Sequence, residues 1–71
     1  MAQSLEGRVT GVGRSVSGRM TVSLEGGALW ELFEADPLLA AGDAVIITRA
    51  TLGSYLLRTP TGRTHRVRRL H

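Results

Sequence analysis

Residues 19–33 read RMTVSLEGGALWELF, two short runs separated by a Gly-Gly pair at 26–27. In the first run apolar and polar residues alternate, so that Met20, Val22 and Leu24 share one face, as expected of a half-buried β-strand. A glycine pair between two pleated runs is typical of a tight hairpin, because glycine accepts the positive φ angles that such turns need. The sequence therefore predicts an antiparallel hairpin centred on the two glycines.

Strand and turn signals continue on both sides of this hairpin. Residues 5–16 are rich in Val, Thr and Gly with a broken apolar period, which predicts a bent or bulged strand. Further strands are predicted at 44–49, from a β-branched run, and at 55–58 and 63–70. Between 36 and 42, an aspartate, a proline at the first helical position and a glycine stop predict one short helical turn.

Five or six short strands in a chain of 71 residues predict an all-β protein, a small closed or nearly closed barrel. The short helical turn lies where an OB-fold has its helix, which favours an OB-like topology, whereas the compact turns also suit an SH3-like barrel. The length allows a single domain, 1–71, with residues 1–4 expected to be disordered. Because there is no cysteine, packing and backbone pairing must hold the fold, and self-association would add stability.

Charge is distributed unevenly along the chain. Up to Asp43 there are six carboxylates and three arginines, a net charge of −3, whereas residues 44–71 carry six arginines and no carboxylate, a net charge of +6. Such a positive segment attracts anionic partners, and nucleic acid is favoured because phosphate suits the planar guanidinium. The predicted anion-binding residues lie on the last two strands: Arg58, Arg63, His65, Arg66, Arg68 and Arg69.

Three aromatic residues are available for base stacking, which single-strand binders combine with their cations. Trp30 shares a row with Ala28 and Leu32 and is predicted to be a core or rim anchor. Phe33 falls on the opposite row, so we expect it at the surface. Phe33 and Tyr55 are therefore the candidates for stacking.

Signatures of catalysis and of cofactor binding are missing from the sequence. Residues 11–13, Gly-Val-Gly, lack the third glycine and the following helix of a dinucleotide fingerprint. His65 and His71 lie six residues apart, without metal-ligand spacing. Glu31 and Glu34 alternate with apolar residues and are expected to face solvent, so that no paired acid and base is evident. We therefore predict a protein that is not an enzyme and needs neither metal nor cofactor.

Two kinds of binding protein fit these observations. The first is a module for nucleic acid. The second is a protein-interaction or structural module, with an acidic protein surface as its partner, in which the arginines keep an edge strand soluble.

Location is only weakly indicated. No apolar stretch approaches the ~20 residues of a membrane span, and residues 1–9, MAQSLEGRV, lack the basic and apolar regions of a signal peptide. The sequence as given predicts a cytoplasmic protein. A leader removed earlier would instead place it in the periplasm or cell envelope.

Several segments resemble a known group of domains. LEGGALWE at 24–31, GDAVII at 42–47, RATLGSYLL at 49–57 and the basic RVRR at 66–69 are similar to small, largely uncharacterised β-barrel domains of GC-rich proteobacteria, OB-like or SH3-like in fold. The resemblance spans about residues 5–70. The resemblance implies a β-barrel fold and no particular activity. Domains of this group often lie at the C-terminal end of exported proteins.

A more general similarity is to the S1-type OB domains of bacterial translation initiation factors. It lies in LEGRV at 5–9, VSLEGG at 22–27 and GDAV at 42–45, which are turn and strand patterns. This similarity implies the fold and no binding site.

Overall fold

The computed structural model describes residues 4–50 and 54–71, which form six β-strands. Neighbouring strands are all antiparallel, and the order β1-β2-β3-β6-β5-β4 closes into a barrel because β4 also pairs with β1. The predicted all-β small barrel is confirmed, with six strands and an architecture consistent with OB-like and SH3-like barrels. The strands are β1 Ser4–Arg14, β2 Met20–Leu24, β3 Leu29–Leu32, β4 Ala44–Arg49, β5 Tyr55–Arg58 and β6 Thr64–Arg69.

Strand β1 is long because it pairs with two neighbouring strands. Its first half pairs with β4, and its second half pairs with β2. The register shifts between Val9 and Gly11, which is the bulge expected from the broken apolar period. The bend brings β1 close to the next strand at Gly7, where a Cβ atom would lie 2.9 Å from Cδ1 of Leu24.

Strands β2 and β3 form the predicted hairpin. Val22 lies opposite Trp30, and the Leu24 N–H donates to the Ala28 carbonyl at 2.9 Å. Both turn glycines, at 26–27, have positive φ angles, of 94° and 97°. The turn therefore depends on residues without a Cβ atom.

Gly26→Ala is expected to lower the free energy of unfolding by about 1 kcal/mol, because alanine is strained at positive φ although space is open around it. Urea denaturation measures the change. Gly11→Ala is the matched control, since it adds the same methyl group to open space without positive φ. An equal loss in both variants would contradict the assignment to backbone strain.

The core consists of the inward rows of the strands together with one residue of the β3–β4 connection. In β6 only Val67 reaches it, because the flanking inward positions hold His65 and Arg69. The buried apolar side chains among the described residues are Val9, Val22, Leu24, Trp30, Leu32, Leu39, Val45, Ile47, Leu57 and Val67.

The connection from β3 to β4 contains turns in place of the predicted helical turn at 36–42, and no helix occurs within 4–50 or 54–71. The Leu39 N–H donates to the Asp36 carbonyl, and the Asp43 N–H donates to the Ala40 carbonyl, both at 3.2 Å. Each bond closes a separate turn. The burial of Leu39 in the core, between the two turns, accounts for the difference, because it fixes the direction of this short segment.

Two other predictions concern the chain's start and the membrane. Of residues 1–4, where disorder is predicted, 1–3 lie outside the described residues and Ser4 begins β1. None of the described residues belongs to a helix that could span a lipid bilayer.

Candidate anion-binding surface

Phe33 and three arginines lie together on the outer face of β2, β3 and β6. Glu31 is opposite Thr21 on one side and Arg68 on the other. Two residues further along, the same pairing sets Phe33 between Arg19 and Arg66, and the Phe33 N–H donates to the Arg66 carbonyl at 3.0 Å. We call Arg19, Phe33, Arg66 and Arg68 the Phe33 patch.

Phe33 is 45% exposed, and two guanidinium groups lie near its ring. The Cζ atom of Arg19 lies 4.9 Å from the ring centroid, and that of Arg66 lies 6.0 Å from it. Both distances are within the range of a cation–π contact, which is worth about 0.5–1 kcal/mol at an exposed site. The patch thus holds its cations beside an accessible aromatic ring without ion pairs to Arg19 or Arg66 among the described residues.

Arg68 is held by a buried carboxylate. Its Nη2 lies 3.3 Å from Oε1 of Glu31, which is 4% exposed, whereas the Arg68 side chain is 64% exposed. The prediction that Glu31 faces solvent is wrong: the outer row is covered here by Arg68 and by Ser17, whose hydroxyl lies 3.5 Å from the second Glu31 oxygen. The three arginines of the patch together with the Glu31 carboxylate have a net charge of +2.

Two more of the predicted anion-binding residues contact a carboxylate of the protein, that of Asp36. The Asp36 carboxylate is 3% exposed. It accepts hydrogen bonds from Nε of Arg63 at 3.0 Å and from the Leu38 N–H at 3.0 Å, and Nε2 of His65 lies 2.8 Å from its Oδ2 atom. Arg63 and His65 are therefore occupied in fastening the β3–β4 connection to β6.

Asp36 is charged in this environment. Burial by itself raises the pKa of its carboxyl, but hydrogen bonds from His65, from the Leu38 backbone and from Arg63, with the charge of Arg63, lower the pKa below its ordinary value overall. The carboxylate thus neutralises Arg63 at neutral pH. No group of three or more His, Cys, Asp or Glu side chains suited to a metal ion occurs in the described part of the chain.

The remaining predicted residues lie away from the patch. Arg58 lines a cleft of about 700 Å³ that also contains Arg8 and two carboxylates, Glu6 and Glu25. Arg69 stands on the inward row of β6 at one end of the barrel, with its Cζ atom 5.8 Å from the Trp30 ring centroid. Of the six predicted anion-binding residues, only Arg66 and Arg68 therefore share one surface with Phe33.

The two remaining aromatic residues lie together at that end of the barrel. Tyr55 is half-buried, with its ring edge-on to Trp30 at 5.1 Å between centroids. Trp30 is a core residue, as predicted. Tyr55 consequently does not extend the stacking surface around Phe33.

Arg19 was missed by sequence reasoning, although a signal for it was available. In the hairpin Thr21 pairs with Glu31. Continuing this register beyond the strand ends places Arg19 opposite Phe33 on the same face. Arg19 lies in the acidic first part of the chain, so the distribution of charge along the sequence does not point to it.

Comparisons of the chain with known protein families, with curated protein sequences and with solved structures found no match. The resemblance to small proteobacterial barrel domains stays a prediction.

Proposed function

We propose that this protein is a non-enzymatic binding module for single-stranded nucleic acid, with the Phe33 patch as its contact surface. The proposed binding residues are Arg66, Arg68 and Phe33, which belong to the site predicted from the sequence, together with Arg19. Arg58, Arg63, His65, Arg69 and Tyr55 have other surroundings and take no part in it.

The observation that carries the proposal is the exposed Phe33 side chain with two guanidinium groups close to its ring. An aromatic face accepts any nucleobase, and stacking of this kind is worth about 1–3 kcal/mol per base. Guanidinium groups bind phosphate with two parallel hydrogen bonds and also stack on flat rings. On binding, a base takes one face of Phe33 while the displaced guanidinium turns to the neighbouring phosphate.

The geometry favours a single strand over a duplex. A base can reach Phe33 only if it is unstacked and unpaired, which costs little in a single strand and several kcal/mol in a duplex. Arg66 and Arg68 are two residues apart in β6 and therefore lie on the same face of the strand, with their Cα atoms about 6–7 Å apart. This separation suits successive phosphates of an extended strand.

A labelled oligothymidine titrated at several salt concentrations tests the proposal. Because the net charge of the patch is +2, about two phosphates are neutralised, and the slope of log K against log salt should be about −1.4. Arg66→Gln should weaken binding at low salt by about threefold or more and make the slope shallower by about 0.7, because one counterion fewer is released.

Arg14→Gln is the control with the same change of charge. Arg14 pairs with Met20, on the opposite side of the sheet from Arg19, and should leave both affinity and slope close to those of the wild type. Absence of binding at low salt would refute the nucleic-acid proposal and favour the protein-interaction alternative. Equal losses in the two variants would mean that only net charge matters and that the patch is not the site.

A further inference from the structure

A second surface feature, unrelated to the Phe33 patch, lies at one end of the barrel. It is a cleft of about 600 Å³ formed where β4 and β6 end and where β3 and β5 begin. Two cross-strand pairs of arginine and aromatic residues build it, Trp30 with Arg69 and Tyr55 with Arg49. Leu5 and Ile47 contribute apolar walls.

The cleft combines positive charge with an apolar lining. Among the residues that the structure describes, Arg49 and Arg69 are the charged groups that line it, and no carboxylate side chain does. Unlike Arg63 and Arg68, neither of them forms an ion pair within the described residues. Arg69 is oriented by a hydrogen bond from its Nε atom to the backbone oxygen of His71, at 3.2 Å, and lies over the Trp30 ring.

Trp30 brings a second observation. Its indole Nε1 is buried and has no hydrogen-bond acceptor among the described residues. Buried donors without an acceptor are rare in folded proteins, so this indole N–H is an unusual feature of a residue that lines the cleft.

We propose that this cleft binds a small amphiphilic anion, an apolar body carrying one carboxylate or phosphate group. The anionic group pairs with Arg49 and Arg69, and the apolar body packs on Tyr55, Leu5 and Ile47. The volume falls within the range of about 300–1,000 Å³ that is usual for small-molecule sites. This site is independent of the proposed nucleic-acid surface, because Arg69 and Arg68 project to opposite sides of β6.

Intrinsic fluorescence tests the proposal directly, since Trp30 is the sole tryptophan of the chain. Octanoate and octyl phosphate are the probes. Each should change the Trp30 emission with saturation in the millimolar range or below, as expected for ligands of this size. Acetate and inorganic phosphate lack the apolar chain of the probes, and octanol lacks their charge. Each of these three compounds should bind at least tenfold more weakly than octanoate and octyl phosphate.

Variants then locate the site. Arg49→Gln is the first choice because Arg49 is exposed and its replacement should not disturb folding. We expect at least tenfold weaker binding of octanoate, with oligothymidine binding unchanged. Arg66→Gln should show the reverse pattern. No saturable response to either probe, an equal response to octanol, or unchanged octanoate binding in Arg49→Gln would overturn the proposal, whatever the outcome for nucleic acid.

Discussion

Asp36→Asn is expected to lower the free energy of unfolding by about 2–3 kcal/mol. The carboxylate is buried and accepts bonds from Arg63 and the Leu38 N–H, with His65 on the same oxygen as Arg63. The asparagine amide has only one acceptor oxygen, and its NH2 group faces the N–H groups that the carboxylate accepts from. Removing one member of a buried ion pair costs about 3–5 kcal/mol, and the cost here lies at or below the lower end of this range because Arg63 is 38% exposed and can be rehydrated.

Urea denaturation at neutral pH measures this loss. Asp43→Asn is the matched control, because Asp43 lies on the same connection, is only partly buried and accepts a single bond from the Ala40 N–H. The control should cost about 1 kcal/mol or less. If the two substitutions cost the same, Asp36 does not anchor the connection to β6.

The pH dependence gives an independent check of the same contact. The folded-state pKa of Asp36 is lowered, so its contribution to stability is present above the pKa of the unfolded chain and is lost as the pH falls through the folded-state value. The difference in unfolding free energy between wild type and Asp36→Asn should therefore shrink in acid. A difference that stays constant from neutral to acidic pH would contradict the charged contact between Asp36 and Arg63.

The strands could be predicted because each of them obeys a local rule. Alternation marked the inward row of β2, and the glycine pair at 26–27 fixed the hairpin, so Val22 and Trp30 fell on the same core-facing side. The prediction of a helical turn at 36–42 was wrong. It rested on local capping residues, whereas the burial of Leu39 is a tertiary effect that such residues do not reveal.

The site was harder to predict because it depends on contacts between distant segments. Alternation in β6 separates Arg66 and Arg68 from His65 and Arg69, but it cannot show that the β3–β4 connection brings Asp36 to His65. Likewise, Glu31 reads as a solvent-facing residue until β6 is placed beside β3. A segment rich in arginine thus predicts the amount of positive charge and not its arrangement on a closed sheet.

Phe33→Leu is expected to weaken oligothymidine binding about tenfold, which is the largest loss from a single substitution in the patch. Leucine keeps an apolar side chain between Arg19 and Arg66 but has no flat face for a base, so that the stacking contribution of about 1–3 kcal/mol is removed. Charge is unchanged, and the salt slope should stay near that of the wild type. Fluorescence anisotropy of the labelled oligonucleotide gives both values.

Phe33→Trp is the complementary variant. It enlarges the aromatic face and should bind as tightly as the wild type or more tightly, because indole stacks well on bases and attracts guanidinium groups more strongly than phenyl does. Leu38→Ala removes a more exposed apolar side chain from a turn outside the patch and should leave the affinity unchanged. If Phe33→Leu and Phe33→Trp bind alike, the ring serves only to space Arg19 and Arg66, and recognition rests on phosphate contacts alone.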